Sequence, residues 1–390
     1  MTPSQSHPII TEGKAQFQVG SAFYRAQSRL GRDLAILAAA VDRQTRGTLR
    51  VLDAMSGSGV RSLRYALEAA ADFVWANEGN PELSDLLHHN LAKGLPGDRF
   101  QITHRDANEV FFDCYQQRDF YDLVDIDSFG GGAPYLSTGL WATKIGGLLY
   151  ITSADTRTTG GHNPDRSVQL YGAYARPHPA SHEQGTRLLI GSAMQQAAAR
   201  NLAVRPLFAY YNGHVHRVML RLMTAVPWPA QQYGFIGYCH QCGHYQTLSW
   251  RQLGRAVCDH GAIAPDISPQ PLTISGPMWL GDLHDGASLT GMIALANAWH
   301  WSEAATVLEI MRSEATLPPY YFTLPEIGRR GCMDIPKRDE LMAELRDRGF
   351  QVSRTHFDAQ AIKTDAAISD CIDAARACQA TRIHHRQHNG

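Results

Sequence analysis

Between residues 48 and 154, five short β-rich runs alternate with stretches long enough to be helices, and this alternation limits the chain to an α/β fold before any motif is read. The runs are TLRVLDA at 48–54, DFVWANE at 72–78, RFQITHRD at 99–106, YDLVDID at 121–127 and GGLLYITSA at 146–154. Helices are expected at 21–45, 59–70, 80–94, 134–144 and 182–201, the third opening with Asn80 as cap and Pro81 at its first position. Each crossover is long enough for parallel pairing. Two further runs, 205–211 and 215–223, flank Asn212-Gly213, a turn signal that makes this edge an antiparallel hairpin.

Five parallel strands closed by an antiparallel hairpin, seven in all, resemble the Rossmann-like sheet of class I methyltransferases more than a dinucleotide-binding sheet. At 226–234 the proline-rich VPWPAQQYG reads as a linker, after which cysteine, histidine and tryptophan become frequent. The boundary is placed near residue 228: a methyltransferase domain at 1–228, then an α+β domain at 229–390 with a zinc-ribbon-like module at 238–262. Helices are expected in the second part at 287–299, 301–314, 336–350 and 366–378, and the stretch from Thr158 to Ser181 reads as a loop without secondary structure. A chain of 390 residues with 44% hydrophobic content favours two domains. No apolar run approaches the roughly 18 residues a bilayer requires, and the first residues lack a signal-peptide pattern, so no membrane partner and a cytoplasmic location are expected. The net charge of −1 means that any nucleic-acid surface is local.

Asp53-Ala-Met-Ser-Gly57-Ser-Gly59-Val-Arg61 follows a strand and precedes a helix, the context in which a glycine turn is informative. Ser62 stands where a dinucleotide fingerprint has its third glycine, so a pyrophosphate is poorly served. S-adenosylmethionine has no phosphate, and its methionine moiety needs a tight turn with polar partners, which Asp53 and the backbone at Gly57 and Gly59 supply. Glu78, ending the next strand, is placed to accept from both ribose hydroxyls. Asp106 ends the strand after that and can take the adenine amine beside the Ala107 backbone. One strand-end acid is better explained as a helix cap; three in register favour a nucleoside cofactor.

The fourth strand ends Asp125-Ile-Asp127-Ser-Phe129-Gly130, where open α/β sheets present chemistry to a ligand. A carboxylate at Asp127 can accept a hydrogen bond from an exocyclic amine, and the Ser128 carbonyl another, while Phe129 stacks on the base. Here the chain resembles the tRNA guanine-N2 dimethyltransferase family, whose catalytic strand ends Asp-Pro-Phe-Gly; Ser128 replaces the proline. The resemblance extends through Glu12-Gly13, Phe23-Tyr24, Arg32-Asp33, Tyr171-Gly172, His182-Glu183 with Arg187, Gly276 to Gly281, Thr355-His356 and Ala361 to Asp365. It implies methyl transfer from S-adenosylmethionine to the N2 amine of guanine 26 of tRNA, mono- and dimethylation, with Arg32 and Arg61 contacting the cofactor and Asp127 and Phe129 catalytic.

Seven cysteines, an odd number, argue for reduced thiols or metal ligands. Cys239-His-Gln-Cys242 and Cys258-Asp-His260 look like two knuckles of a zinc ribbon. The second is tighter than the usual Cys-x-x-Cys, and His240, His244 or Asp259 are alternative ligands; a degenerate ribbon without metal is the competing reading. Basic residues scattered from Arg329 to Lys363 are interleaved with acids, and together point to phosphate contacts. Two further functions compete: an amino-methyltransferase acting on another RNA or a DNA base, and a non-catalytic zinc-ribbon RNA-binding protein. Retention of Asp53, Glu78, Asp106 and Asp127 speaks against the latter.

Overall fold

The computed structural model describes residues 8–225, 227–260 and 268–388. Val226 of the expected linker and residues 261–262 of the expected Cys/His module lie outside them.

A hairpin of β1 (Ile9–Glu12) and β2 (Ala15–Gln18) precedes α1 (Arg29–Arg46). Residues of the helix expected from 21 instead form a turn at Ser21 and Ala22 and reach Arg25 without helix, Arg25 being extended with its carbonyl accepting from Arg32 Nη2 at 3.1 Å; a 3-10 turn then leads into α1, and Gly47 ends it in a left-handed conformation. The α/β alternation follows: β3 (Arg50–Asp53), α2 (Val60–Leu67), β4 (Phe73–Asn77), α3 (Ser84–Gly94), β5 (Phe100–Thr103), α4 (Ala107–Gln117), β6 (Tyr121–Ile126), α5 (Ala133–Ala142) and β7 (Thr143–Ser153). Helix α4 has no counterpart in the expected elements, although Ala107, Val110, Phe111 and Cys114 are buried at helical spacing behind an Asp106 cap. The stretch expected to be a loop holds two helices, α6 (Thr156–Thr159) and α7 (Pro164–Tyr171), capped by Asp155 and Asn163. Then come α8 (Ser181–Ala198), β8 (Leu202–Tyr211) and β9 (His216–Thr224).

The seven strands lie in the order β5-β4-β3-β6-β7-β9-β8, the first five parallel and β9 antiparallel to both neighbours. Register sets Asp53 beside Asp125 on β3 and β6, and Thr152 beside Arg217 on β7 and β9. The remaining elements are β10 (Tyr233–Tyr238), β11 (Tyr245–Leu248), β12 (Val257–Cys258), β13 (Gln270–Pro271), β14 (Thr273–Trp279), α9 (Gly286–Ala298), α10 (Ser302–Glu314), β15 (Phe322–Thr323), α11 (Leu324–Gly331), α12 (Arg338–Asp347), β16 (Val352–Arg354), β17 (Ala361–Thr364) and α13 (Ile368–His388). They form three small sheets, β11-β10-β14, β12-β13 and β15-β17-β16.

Two apolar cores sandwich the main sheet, and both cross residue 228. On one face Phe111, Leu140 and Leu188 share a core with Tyr238, Trp279 and Ile362. On the other, Leu37, Leu63 and Leu87 share one with Leu289 and Leu308, so α9 and α10 cover the sheet's own helix layer.

A buried ionic cluster fastens the N-terminal hairpin to that layer. Glu12 accepts from Arg32 Nε and Nη2 at 2.7 and 2.6 Å, from Arg64 Nη1 at 2.8 Å and from the Tyr24 hydroxyl at 2.8 Å. Arg64 also pairs with Asp33 at 2.6 Å and Glu68 at 2.8 Å. Gly13, at φ +57°, leaves room for Glu68: a Cβ there would stand 2.0 Å from Glu68 Oε1. Burial opposes the Glu12 charge, but Arg32 and then Arg64 outweigh it and bring the carboxyl from 4.5 to about 2.

Removing one member of such a cluster strands the others, so Glu12→Gln is expected to cost about 3 to 5 kcal/mol of stability in urea unfolding at neutral pH. Because folding lowers the Glu12 carboxyl, its contribution is complete above about 4.5 and is lost as pH falls toward about 2. The gap between wild type and variant therefore narrows at pH near 3; an unchanged gap there would refute the ionic account.

Candidate active site and metal centre

The glycine turn after β3 is shaped by two left-handed residues, Gly57 at φ +53° and Gly59 at φ +80°, the latter opening α2. A Cβ on Gly59 would lie 2.8 Å from Leu87 Cδ1, so the turn packs directly on α3. Gly57 N donates to Glu78 Oε2 at 2.8 Å, and Glu78 Oε1 accepts from Asn80 N at 2.9 Å. The turn and the acid at the end of β4 are thus side by side. Asp106 caps α4 by accepting from Asn108 N at 2.8 Å, its side chain in solvent and Ala107 buried behind it. Asp53 is fully buried; its Oδ2 accepts from Ser62 Oγ at 2.7 Å and its Oδ1 has no partner. Burial and the neighbouring Asp125 push the Asp53 carboxyl up. A phosphate-free turn with an unpartnered buried carboxylate oxygen and acids on the next two strand ends fits an S-adenosylmethionine site better than a dinucleotide site.

The two arginines named from the resemblance are engaged with protein carboxylates. Arg32 grips Glu12. Arg61, 4% exposed, forks to Asp125 Oδ2 at 2.9 Å and to Asp127 Oδ2, with its guanidinium 5.6 Å from the Tyr150 ring centre.

Asp127 sits just past the end of β6 with its side chain 31% exposed. Its Oδ1 accepts from Thr152 Oγ1 at 2.7 Å. Burial raises its carboxyl, but Arg61, then Arg217 and the Thr152 hydroxyl, outweigh this and bring it to about 2. Asp125 beneath it accepts from Tyr65 at 2.7 Å and is pushed up by burial. Phe129 is 80% exposed and meets Phe23 edge-on, ring centres 4.9 Å apart, with Arg25 over the Phe23 ring at 5.5 Å. Two unburied aromatic rings beside an ionised carboxylate suit a planar heterocycle bearing an amine. Sequence reasoning gave no role to Phe23, Thr152 or Arg217, because only the sheet register and the fold of the N-terminal segment bring them here.

The four candidate metal ligands converge. Cys239, Cys242, Cys258 and His260 offer Sγ or ring nitrogen atoms all within 4.8 Å of one another, and all four are buried. Cys242 and Cys258 sulfurs are 3.4 Å apart and Cys239 Sγ lies 3.5 Å from His260 Nδ1, spacings close to those around a tetrahedral zinc with bonds of about 2.0 to 2.3 Å. His260 Nε2 lies 3.2 Å from the Ser268 carbonyl, which orients Nδ1 toward the sulfurs. The set is compatible with structural zinc, and in the short second knuckle His260 is left-handed at φ +61°.

A second buried group, His284, Glu314 and His356, reads differently. Ala209 N donates to His284 Nδ1 at 3.4 Å, which leaves the ring proton on Nε2, 3.7 Å from Glu314 Oε1 and without a hydrogen-bond partner among the described residues. Glu314 lies between the two rings and is hydrogen-bonded by His356 Nδ1. Of the scattered basic residues expected to touch phosphate, Lys363 is buried on Glu183 at 2.6 Å, and Arg330 is tied to Glu326, Tyr238 and the His240 carbonyl. Neither is free for RNA.

This sheet order, with a glycine turn after the central strand and acids at three successive strand ends, defines a class I S-adenosylmethionine-dependent methyltransferase. The chain belongs to the N2,N2-dimethylguanosine tRNA methyltransferase family, whose model matches residues 6–376. It is 29% identical over 381 residues to the tRNA (guanine(26)-N(2))-dimethyltransferase of Thermococcus kodakarensis, spanning 92% of this chain and 96% of that one. The enzyme of the same name from Archaeoglobus fulgidus is also 29% identical, over 361 residues, with 92% and 95% coverage. The solved complex of Trm1 from Pyrococcus horikoshii with S-adenosyl-L-methionine superposes with a TM-score of 0.82 at 26% identity, covering 94% of this chain and 99% of that chain.

Protein purified without chelator is expected to carry close to one zinc per chain, and Cys239→Ser to lose it and weaken tRNA binding more than cofactor binding. Elemental analysis decides; zinc-free, folded wild-type protein would mark the ribbon as degenerate.

Proposed function

We infer that this chain methylates the exocyclic N2 amine of a guanine in tRNA, position 26, using S-adenosylmethionine and adding one and then a second methyl group. The observation that carries the reading is the ionised, half-open Asp127 beside exposed Phe129, at the end of a central strand in a chain that matches the family along nearly all its length.

The cofactor supplies a methyl group on a sulfonium, a good leaving group, so no covalent nucleophile from the protein is needed. Guanine N2 is a weak nucleophile because its lone pair is delocalised into the ring. Asp127 accepts a hydrogen bond from the amine, and the Ser128 carbonyl a second, which fixes the direction of the lone pair. With its carboxyl at about 2, Asp127 is a poor proton acceptor before transfer and serves chiefly to stabilise the positive charge that grows on nitrogen. Once the amine is alkylated its proton is strongly acidic, and the carboxylate is then in place to take it. Phe129, with Phe23 edge-on to it, holds the ring in plane. Glu78 holds the ribose diol, Asp106 with the Ala107 backbone holds adenine, and Asp53, Gly57 and Gly59 hold the methionine moiety, with Arg32 and Arg61 supporting them.

Residues 1–228 form the catalytic domain in this reading and 229–390 the part that engages tRNA, stabilised by zinc on Cys239, Cys242, Cys258 and His260. Incubation of tRNA with the protein and labelled cofactor, followed by nucleoside mass mapping, is expected to give N2-methyl- and N2,N2-dimethylguanosine at guanine 26 and none in a transcript with adenine there. Label in another RNA or in DNA, with tRNA inert, would favour the alternative amino-methyltransferase. In the same assay Asp127→Asn keeps both ligands but loses on the order of 10² to 10³ in single-turnover rate. Near-wild-type transfer by the folded variant would remove Asp127 from the chemistry.

A further inference from the structure

Arg217 on β9 is 2% exposed, yet its Nε and Nη1 are closed off from solvent and donate to no acceptor. A buried guanidinium with unmet donors is costly, and native structures seldom keep one without a use for it. Its position is well defined. Across the sheet it faces Thr152, the residue that donates to Asp127, and Tyr210. Its side chain crosses Gly31 in the first turn of α1 so closely that a Cβ there would stand 2.2 Å from Arg217 Nε. Tyr150 donates to the Gly31 carbonyl at 2.8 Å and has Arg61 over its ring, so Arg217 borders the same pocket floor as the Arg61 fork.

From Gly31 the chain runs back to Phe23, whose carbonyl oxygen is 3.6 Å from where a Cβ on Gly57 would be. The 23–31 segment, the Gly57 turn and Arg217 therefore surround the space between the glycine turn and Asp127. On the reading above, which this inference rests on, that space takes the amino-acid end of the cofactor. Arg32 and Arg61 already each hold two carboxylate oxygens of the protein. Arg217 has donors to spare, and an anion compensates a buried full charge better than the neutral carbonyl of a base does.

We propose that Arg217 receives the α-carboxylate of the cofactor's methionine moiety, with Gly31 kept bare to let its guanidinium through. The probes are S-adenosylhomocysteine, which has that carboxylate, and 5′-methylthioadenosine, which lacks the whole amino acid. By calorimetry, Arg217→Gln weakens S-adenosylhomocysteine roughly 10- to 100-fold, the loss of one charged hydrogen bond, and leaves 5′-methylthioadenosine unchanged. Gly31→Ala keeps the charge but displaces it, and gives the same selective loss. Equal weakening of both ligands, or unaltered S-adenosylhomocysteine affinity in either folded variant, overturns the proposal. The second pattern, combined with reduced tRNA turnover, would assign Arg217 to the guanine. Failure of the wild-type protein to bind S-adenosylhomocysteine would instead sink the methyltransferase reading itself.

Discussion

The reacting end of the sheet depends on one buried guanidinium. Parallel pairing of β3 with β6 sets Asp53 against Asp125, and the chain then adds Asp127 two residues on, so three carboxylates crowd the ends of two neighbouring strands. In a shielded site such a group would protonate or repel itself apart. Arg61, reaching up from the first turn of α2, divides its fork between Asp125 and Asp127 and makes the cluster tenable. The charge is then distributed unevenly: burial pushes Asp53 and Asp125 up, while Asp127, with Arg61, Arg217 and Thr152 around it, is held down at about 2. The member whose carboxyl is held down is thus the one of the three that opens to solvent. The proposed reaction, in which an amine attacks a cationic cofactor, calls for a carboxylate there that is charged and fixed before the substrate arrives.

A second buried cluster joins the two halves of the chain and explains motifs that carry no chemistry. Glu183 on α8 accepts from Arg187 at 2.7 Å and from Lys363 on β17 at 2.6 Å. Arg187 also donates to the Trp279 and Gly281 carbonyls at 3.1 and 2.8 Å. The His182-Glu183, Trp279 to Gly281 and Ala361 to Asp365 segments, far apart in sequence, are thus one structural knot. Breaking any partner would leave a buried charge exposed to none of the others, so the knot fixes the mutual position of the main sheet and the last small sheet. Lys363 looked like a phosphate contact because its charge was visible in the sequence and its burial was not.

What could be read in advance was whatever is written locally. The alternation of apolar runs yields all seven strands, and Asn212-Gly213, with Gly213 at φ +87°, turns the last two into a hairpin. The same local logic was present but passed over at α4, whose apolar residues keep helical spacing, and at Asn163-Pro164, a cap and first position that start α7 inside a supposed loop. The non-helical segment at 21–25 was not legible, because its anchor is a tertiary contact rather than a local pattern: the Arg25 carbonyl accepts from Arg32, itself held by Glu12. The partners of Arg61 and the lack of partners on Arg217 were equally hidden: both are statements about hydrogen-bond acceptors brought from other strands.

The cysteine module shows how a departure from a spacing rule can be absorbed. A Cys-x-x-Cys knuckle turns so that its two sulfurs face one point; with one residue fewer, the second ligand would normally point away. Here His260 takes a left-handed backbone conformation, and its Nδ1 reaches 3.5 Å from Cys239 Sγ. The intact first knuckle is held from outside by Arg330, which donates to the His240 carbonyl at 3.0 Å and passes where a Cβ on Gly243 would be, 2.5 Å from its Nε. Arg330 belongs to α11, so the ribbon is braced against the C-terminal helices on one side while β10 ties it to β14 on the other. A metal that closes the second knuckle therefore stiffens a module already anchored at two points, and its loss is felt first where the module is least supported, around Cys258 and His260.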